Sequence, residues 1–463
     1  MTSSAVAENQ IIVRNPSSKM LKWARDNLVL DNPEYYKRLK MNKWIGNTSQ
    51  EIWLYEMIGL DLRLPFGCLR SFYRTFKDEC EFKAHFAVKR PVVYESGITP
   101  YDYQEHAVQN AVRAKNGIIV MPCGSGKTQV ALEVISRIGG RCLWLTHTQD
   151  LLNQSMARAK SVLTTKARYG RITAGKVDIG DGITFATVQT MSKLDLASYK
   201  NTFDIIVVDE CQHCCGSPTR VTQFYKVVNS LSARYKYGLT ATPKRADGLE
   251  RSIFALLGDI ICVVSKEDVA NTTCPVKIRS VETGYTPNYD AVLMGDGTID
   301  YSRLVENLTN DPERFSFVSD VIQSLDGPCI VLANRVEYLE KLRANAAMSG
   351  LKVMCLSTIG NSKSAKALRK NALADLNNGD LDVIFATYQL AKEGLDVPNL
   401  RYVVFATPEK DETTIVQAVG RVGRKAEGKD FGTVIDFVDD FGMYKGWAKK
   451  RKGYYKKIGA DIE

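Results

Sequence analysis

Short, continuous apolar runs separated by stretches of helical periodicity recur along most of the chain. They are Gly117–Val120, Cys142–Leu145, Ile183–Ala186, Ile205–Val208 and Tyr237–Leu239 in the first half, then Cys329–Leu332, Val353–Leu356, Val383–Ala386, Val403–Ala406 and Thr433–Ile435. An uninterrupted apolar run suits a strand covered on both faces, and its alternation with helical sequence marks strand–helix–strand units and parallel sheets. The stretch after the first run, Gln129 to Ile138, places Val130, Leu132, Val134, Ile135 and Ile138 as an amphipathic helix would. An α/β fold with two parallel-sheet domains in tandem is therefore expected. Polar residues collect where the runs end, at Thr146-His147-Thr148, Thr187, Asp209-Glu210 and Thr240-Ala241-Thr242. Open parallel sheets bind ligands at those carboxyl ends.

Between the first run and its helix lies Met121-Pro122-Cys123-Gly124-Ser125-Gly126-Lys127-Thr128. A Gly-rich turn at a helix start lets backbone amides and the positive helix end surround a polyphosphate. Gly124, Ser125 and Gly126 then form the cradle, Lys127 reaches the outer phosphates and Thr128 can ligate Mg2+. The loop has Met121 where the usual phosphate-loop pattern has Gly. Upstream, Gln104 opens a helical stretch and is either an ordinary polar helix residue or a reader of the adenine edge through its amide. Asp209 and Glu210 follow a buried run directly. In a domain with a phosphate loop, the first acid can hold magnesium and the second can orient or deprotonate a water, although two acids can also simply favour a helix start.

The second half has no phosphate loop. Its informative stretches are Thr387 with Glu393-Gly394-Leu395-Asp396, and Gln417-Ala418-Val419-Gly420-Arg421-Val422-Gly423-Arg424. Arg421 and Arg424, three apart on a helix, share a side, and guanidinium forks suit phosphate oxygens.

In this order the motifs resemble the core of superfamily 2 helicases and translocases from Gly97 to Phe437, with motif I at Met121–Thr128, Ia at Leu145–Gln154, II at Asp209–Gln212, III at Thr240–Thr242, and V and VI in the second half. Motif II has Gln212 where DEAH-box proteins have His. Arg245-Ala246-Asp247 stands where the XPB branch carries Arg-Glu-Asp, without the middle acid. The chain is most similar in character to XPB and the bacteriophage UvsW-type helicases. The resemblance implies two RecA-like lobes and ATP with Mg2+ as cofactors. It also implies an adenine-reading Gln104, a ribose-contacting Asp396, a water-placing Gln417, and arginine fingers at Arg421 and Arg424. Thr148, Thr187 and Thr387 are the expected nucleic-acid contacts. The implied activity is ATP-driven movement on or unwinding of DNA. An RNA helicase on the same core, or a nucleotide-gated binding module with little turnover, are the alternatives.

Composition adds bounds. At 463 residues, with a formal net charge of +10, the chain can form several domains and is compatible with a polyanionic partner. No apolar run reaches membrane-spanning length, and no basic-then-apolar leader opens the sequence, so an intracellular protein without membrane contact is expected. The 11 cysteines, several inside apolar runs, suggest a reducing compartment. Cys211, Cys214, Cys215 and His213 lack the spacing of a zinc site. A monomer is the working expectation, with protein partners unspecified.

Four segments are anticipated. Residues 1–94, rich in aromatic and basic residues, form a small α+β accessory domain that is either an ordinary core with a basic rim or a DNA-recognition surface. Residues 95–265 and 266–444 are the two lobes. Residues 445–463 form a basic tail, either solvated or bound to phosphates.

Overall fold

The computed structural model describes residues 3–86, 91–122, 124–242, 247–269, 273–295, 298–360, 362–392, 395 and 397–463. Cys123, Arg245, Ala246, Glu393, Gly394 and Asp396 lie outside the described residues. The chain divides into two compact units, residues 1–122 with 126–265, and residues 123–125 with 266–463.

The first unit begins with five strands, β1 (Ser3–Ala7), β2 (Gln10–Arg14), β3 (Glu56–Ile58), β4 (Asp61–Pro65) and β5 (Cys80–Ala84), in the order β3-β4-β2-β1-β5. All pairings are antiparallel except β1 with β5. Helices α1 (Ser18–Leu28), α2 (Pro33–Lys40) and α3 (Leu69–Phe76) accompany them. Met20, Ala24 and Leu28 on α1 and Phe72 and Phe76 on α3 close one core with Ile11, Val13, Leu62 and Leu64. That core also takes in Leu249 and Ala255 from later in the chain.

The rest of this unit follows the expected alternation. α4 (Asp102–Ala114), β6 (Asn116–Val120), α5 (Lys127–Ile138), β7 (Cys142–Thr146) and α6 (Gln149–Val162) come first. Then come β8 (Gly170–Thr173), β9 (Lys176–Asp178), β10 (Ile183–Thr187), β11 (Ile205–Asp209), α7 (Gln223–Ser230), β12 (Tyr235–Thr240), α8 (Glu250–Leu257) and β13 (Ile260–Val263). The sheet runs β9-β8-β10-β7-β11-β12-β6-β13 and is parallel except for β9. Its central strands β6, β7, β10 and β11 are buried at every position, which is why they read as unbroken apolar runs.

The amino-terminal sheet rests directly on this α/β layer. A methyl group at Gly67 would lie 2.3 Å from the Phe254 carbonyl oxygen and 2.4 Å from the Gly258 nitrogen, so backbone meets backbone there. Lys236, on β12 and fully buried, donates to the carbonyls of Val228 (2.9 Å) and Asn9 (3.3 Å), with its ammonium 4.7 Å from the centre of the Phe66 ring.

The second unit contains β14 (Val276–Glu282), α9 (Tyr301–Asn310), α10 (Pro312–Gln323), β15 (Cys329–Ala333), α11 (Val336–Met348), β16 (Val353–Cys355), α12 (Lys363–Asn378), β17 (Val383–Thr387), β18 (Tyr402–Phe405), α13 (Glu412–Val422), β19 (Gly432–Val438), α14 (Gly442–Lys457) and β20 (Asp461–Ile462). Its sheet, β16-β17-β15-β18-β19-β14-β20, is parallel throughout. β14 falls in a stretch that reads as loop. Ile278 is its one buried residue, so no apolar run announces it, yet it pairs with β19 along its full length.

The basic carboxyl-terminal stretch differs from a free tail. It is the helix α14, whose Tyr444, Trp447, Arg451 and Tyr455 are buried. Arg451 is consumed inside the fold by a 2.8 Å ion pair with Asp436 and by the Glu409 carbonyl. A buried guanidinium is tolerated only with such partners. No helix among the described residues is long and apolar enough to cross a membrane.

Candidate nucleotide-hydrolysis site

The first unit's candidate residues converge at the carboxyl ends of β6, β11 and β12. Where β6 ends, the chain turns through Gly124 (φ 81°) and Gly126 (φ 85°), both left-handed, and starts α5 at Lys127. Gly126 is the cap of α5 and offers no side chain to its first amides, which leaves them to a ligand. Lys127 Nζ lies 3.4 to 3.5 Å from the carbonyls of Pro122 and Met121, and Thr128 follows it in the first turn. Met121, in the place of the usual glycine, is fully buried.

Gln104 is buried, and its side chain does two things. Its carbonyl oxygen accepts from the Tyr101 amide (3.1 Å), closing a capping box on α4. Its amide nitrogen lies against the loop, 2.5 Å from where a side-chain carbon on Gly126 would be. Glycine at 126 is thus required both by the backbone angle and by this close approach.

Asp209 ends β11 buried, with Ser155 of α6 hydrogen-bonded to it. Burial, then the neighbouring Glu210, push its carboxyl up to about 7, while Lys127 opposes the rise. Two carboxylates side by side in a desolvated place beside a lysine suit a divalent cation, whose charge would hold both ionised. Thr128 and Asp209 are the residues that would hold Mg2+, and the ion would supply charge neutralisation for a polyphosphate.

Glu210 is in the left-handed region (φ 52°), an unfavourable setting for a residue with a side chain. Its conformation is supported by Gln212, whose amide donates to Glu210 Oε2 (2.7 Å) while its carbonyl accepts from Thr240 Oγ1 (2.8 Å). Thr240 also binds the Thr242 carbonyl (3.1 Å) and amide (3.0 Å). One side chain therefore joins motif II to motif III, and Gln does at this position what a bifunctional donor–acceptor must.

Beside them, His147 lies against His213 with ring centres 4.5 Å apart and ring planes tilted by 45°. Burial, then His213, lower its pKa to about 4 against the pull of Glu210, so the ring is neutral. His147 lies within motif Ia, whereas Ser155 falls just past it and carries no motif signal. Only the folding of α6 and β7 against β11 brings them to the carboxylates.

The expected nucleic-acid threonines have local duties. Thr148 caps α6 by accepting from the Leu151 amide (3.3 Å), and Thr187 contacts Thr190 (3.1 Å). Thr387, in the second unit, accepts from the Leu390 amide (3.3 Å), and its own amide donates to Ser357 (2.8 Å).

In the second unit, α13 carries Gln417 and Arg421, with Arg424 just beyond its end. The Arg421 guanidinium donates to the carbonyls of Leu395 (2.5 Å) and Ala391 (2.6 Å), bracing the motif V segment. Gln417 Oε1 is buried without a hydrogen-bond partner among the described residues. Arg424 bridges to Thr273 through the backbone, and its carbonyl accepts from Lys429 Nζ (2.9 Å).

Comparison with known proteins agrees with this arrangement. The family described as type III restriction enzyme, res subunit, matches residues 97–245, and the helicase conserved C-terminal domain matches residues 313–426. A protein of Acanthamoeba polyphaga mimivirus named as an ATP-dependent RNA helicase is 29% identical over 75% of the chain, which spans 65% of that relative's length. The DNA 3'-5' translocase XPB2 of Sulfurisphaera tokodaii is 27% identical over 79% of the chain and 88% of its own. Among solved structures, Saccharomyces cerevisiae Dbp5 bound to RNA and ADP BeF3 aligns with a TM-score of 0.56 at 17% identity, covering 79% of this chain and 90% of that one, a likeness of fold. With one matched family on each sheet unit and the phosphate loop, paired acids and motif III gathered at the strand ends, the chain belongs to the superfamily 2 helicases, nucleic-acid-dependent ATPases with two RecA-like lobes.

Proposed function

We propose that the protein is an ATP-driven DNA translocase or helicase. The observation that carries the catalytic half is the Glu210–Gln212–Thr240 chain of hydrogen bonds beside Asp209 and the phosphate loop. Lys127 and the loop amides bind and orient the polyphosphate, with Gln104 against the loop to read the base. Glu210 holds and deprotonates the attacking water, and Gln212 fixes its carboxylate. From the second lobe, Gln417 helps place the water and Asp396 takes the ribose. Arg424 supplies positive charge to the transferred phosphoryl group, while Arg421 positions the motif V segment through its two carbonyls. Through Gln212, a change at Glu210 during hydrolysis is felt at motif III, which gives a route from chemistry to nucleic-acid grip.

DNA as the track is supported by the translocase relative, which this chain covers almost end to end. RNA is the second reading, favoured by the name of the mimivirus relative. The deciding experiment is the steady-state ATPase rate with single-stranded DNA, duplex DNA, forked DNA and RNA of matched length. Stimulation by DNA over RNA is expected. Stimulation by RNA alone would replace the substrate class, and no stimulation by either would remove the reading.

A further inference from the structure

Helix α2 is anomalous for its length. None of its eight residues is buried, so no core contact accounts for its presence. It is held instead by local devices. Asn32 caps it, accepting from the Glu34 amide (3.1 Å), Pro33 opens it, and Glu34 pairs with Arg38 (2.9 Å) one turn on. The following loop is tied back to the helix, with the Lys43 amide on the Arg38 carbonyl (2.9 Å) and Arg38 Nη1 on the Trp44 carbonyl (3.3 Å).

This ordered loop displays Trp44 at 85% exposure. The other four tryptophans are buried or half-buried. Indole is costly to leave in water, and a lone exposed tryptophan on a fixed loop needs an account. Its placement is built. The ring lies over Gly46 (φ 55°), where a side-chain carbon would sit 2.8 Å from indole Cζ3, so a glycine lets the ring lie flat against the chain.

Around it the charge is positive. Lys37, Lys40 and Lys43 recur every third residue through the helix and into the loop, and all three are exposed. Two carboxylates are close by: Asp31 accepts from the Tyr36 hydroxyl (3.3 Å), and Glu34 is already paired with Arg38. That guanidinium holds its carboxyl below the usual value, helped by Lys37 and by Arg220. An aromatic face among cations is what an unpaired nucleotide needs, the base stacking on the ring and the phosphates meeting the ammonium groups. Tyr36, Leu39 and Met41 are also exposed on this element, so the choice of partner rests on the lysines around the ring, and a duplex offers no free base face away from its ends.

We propose that α2 and the loop through Gly46 form a binding surface for single-stranded nucleic acid, with Trp44 stacking on an unpaired base and Lys37, Lys40 and Lys43 holding the flanking phosphates. This rests on the nucleic-acid reading above and adds a contact outside the ATPase core. It gives the amino-terminal domain the task of holding the strand exposed at a junction.

The test compares the full chain with Trp44→Ala and Trp44→Phe. It measures affinity for oligothymidylate, oligouridylate and a blunt duplex, and the access of iodide to tryptophan fluorescence. Trp44→Ala should weaken binding of the single strands roughly 5- to 150-fold, the span of one base–aromatic stack. Duplex affinity and basal ATPase should stay unchanged, and Trp44→Phe should recover most of the loss. Bound single strand should shield the parent's tryptophan from iodide. Equal single-strand affinity in Trp44→Ala, or iodide access unchanged on binding, overturns this proposal while leaving the ATPase reading intact. A parent that binds none of the three oligonucleotides overturns both. Shielding that appears on raising protein concentration alone assigns the surface to a second copy and overturns this one.

Discussion

Replacing Gln212 by alanine tests the link between motifs II and III. The change removes a 2.7 Å donor to the Glu210 carboxylate and a 2.8 Å acceptor for Thr240. Thr240 keeps the Thr242 carbonyl at 3.1 Å, so its hydroxyl is not stranded and the fold should lose only about 1 kcal/mol. Glu210 loses a hydrogen bond to a charged group, worth about 1.5–3 kcal/mol. If that bond orients the carboxylate in the transition state, kcat falls roughly 10- to 150-fold with nucleotide affinity nearly constant. Gln212→Glu keeps the acceptor for Thr240 but sets a second carboxylate against Glu210. That like-charge contact should also lower kcat. The assay is steady-state ATP hydrolysis at saturating nucleic acid, with nucleotide binding measured separately. A kcat for Gln212→Ala within threefold of the parent would refute the reasoning, because Glu210 would then need no support from this side chain.

Arg424→Ala should leave nucleotide affinity little changed while turnover drops about a thousandfold or more, the scale of an arginine finger, and parent-like turnover would remove Arg424 from the chemistry. Gly67→Ala pushes a methyl to 2.3 Å from the Phe254 carbonyl and 2.5 Å from that of Ala255, backbone atoms that cannot swing aside. It should destabilise the first unit by about 3 kcal/mol in denaturant unfolding. Gly97→Ala, with its nearest neighbour at 3.5 Å, is the control, and equal midpoints for the two would show that the amino-terminal sheet is not seated there. His147 takes up a proton only near pH 4 when folded, against an ordinary 6.5, so acidification through that window protonates the unfolded chain first. Stability should fall from pH 6.5 toward 4 by on the order of 3 kcal/mol from this ring. His147→Asn should flatten that part of the pH–stability curve, and an unaltered curve would mean that the ring is not buried as found.

The sequence alone determined the strand–helix alternation, the loop, the paired acids and the order of motifs. These depend on local pattern. A strand buried on both faces must be apolar throughout, and a loop that lies against phosphates must be glycine-rich, so both leave a mark in consecutive residues. What only the tertiary structure decided depends on residues far apart in the chain. β14 carries no unbroken apolar run, because near the sheet margin Ile278 alone is buried, and pairing with β19 makes it a strand. The basic stretch after Gly442 reads as solvated until Arg451 meets Asp436 and Glu409 in the interior. Residues 3–86 look like a separate module, yet Gly67 against α8 and Lys236 beneath Phe66 make them one body with the sheet that follows. Arg421 carries a phosphate-binding signature in sequence, but its fork is taken by two carbonyls, Leu395 and Ala391, 26 and 30 residues earlier. A guanidinium's partners are set by which acceptors surround it after folding, and no spacing in the sequence records that.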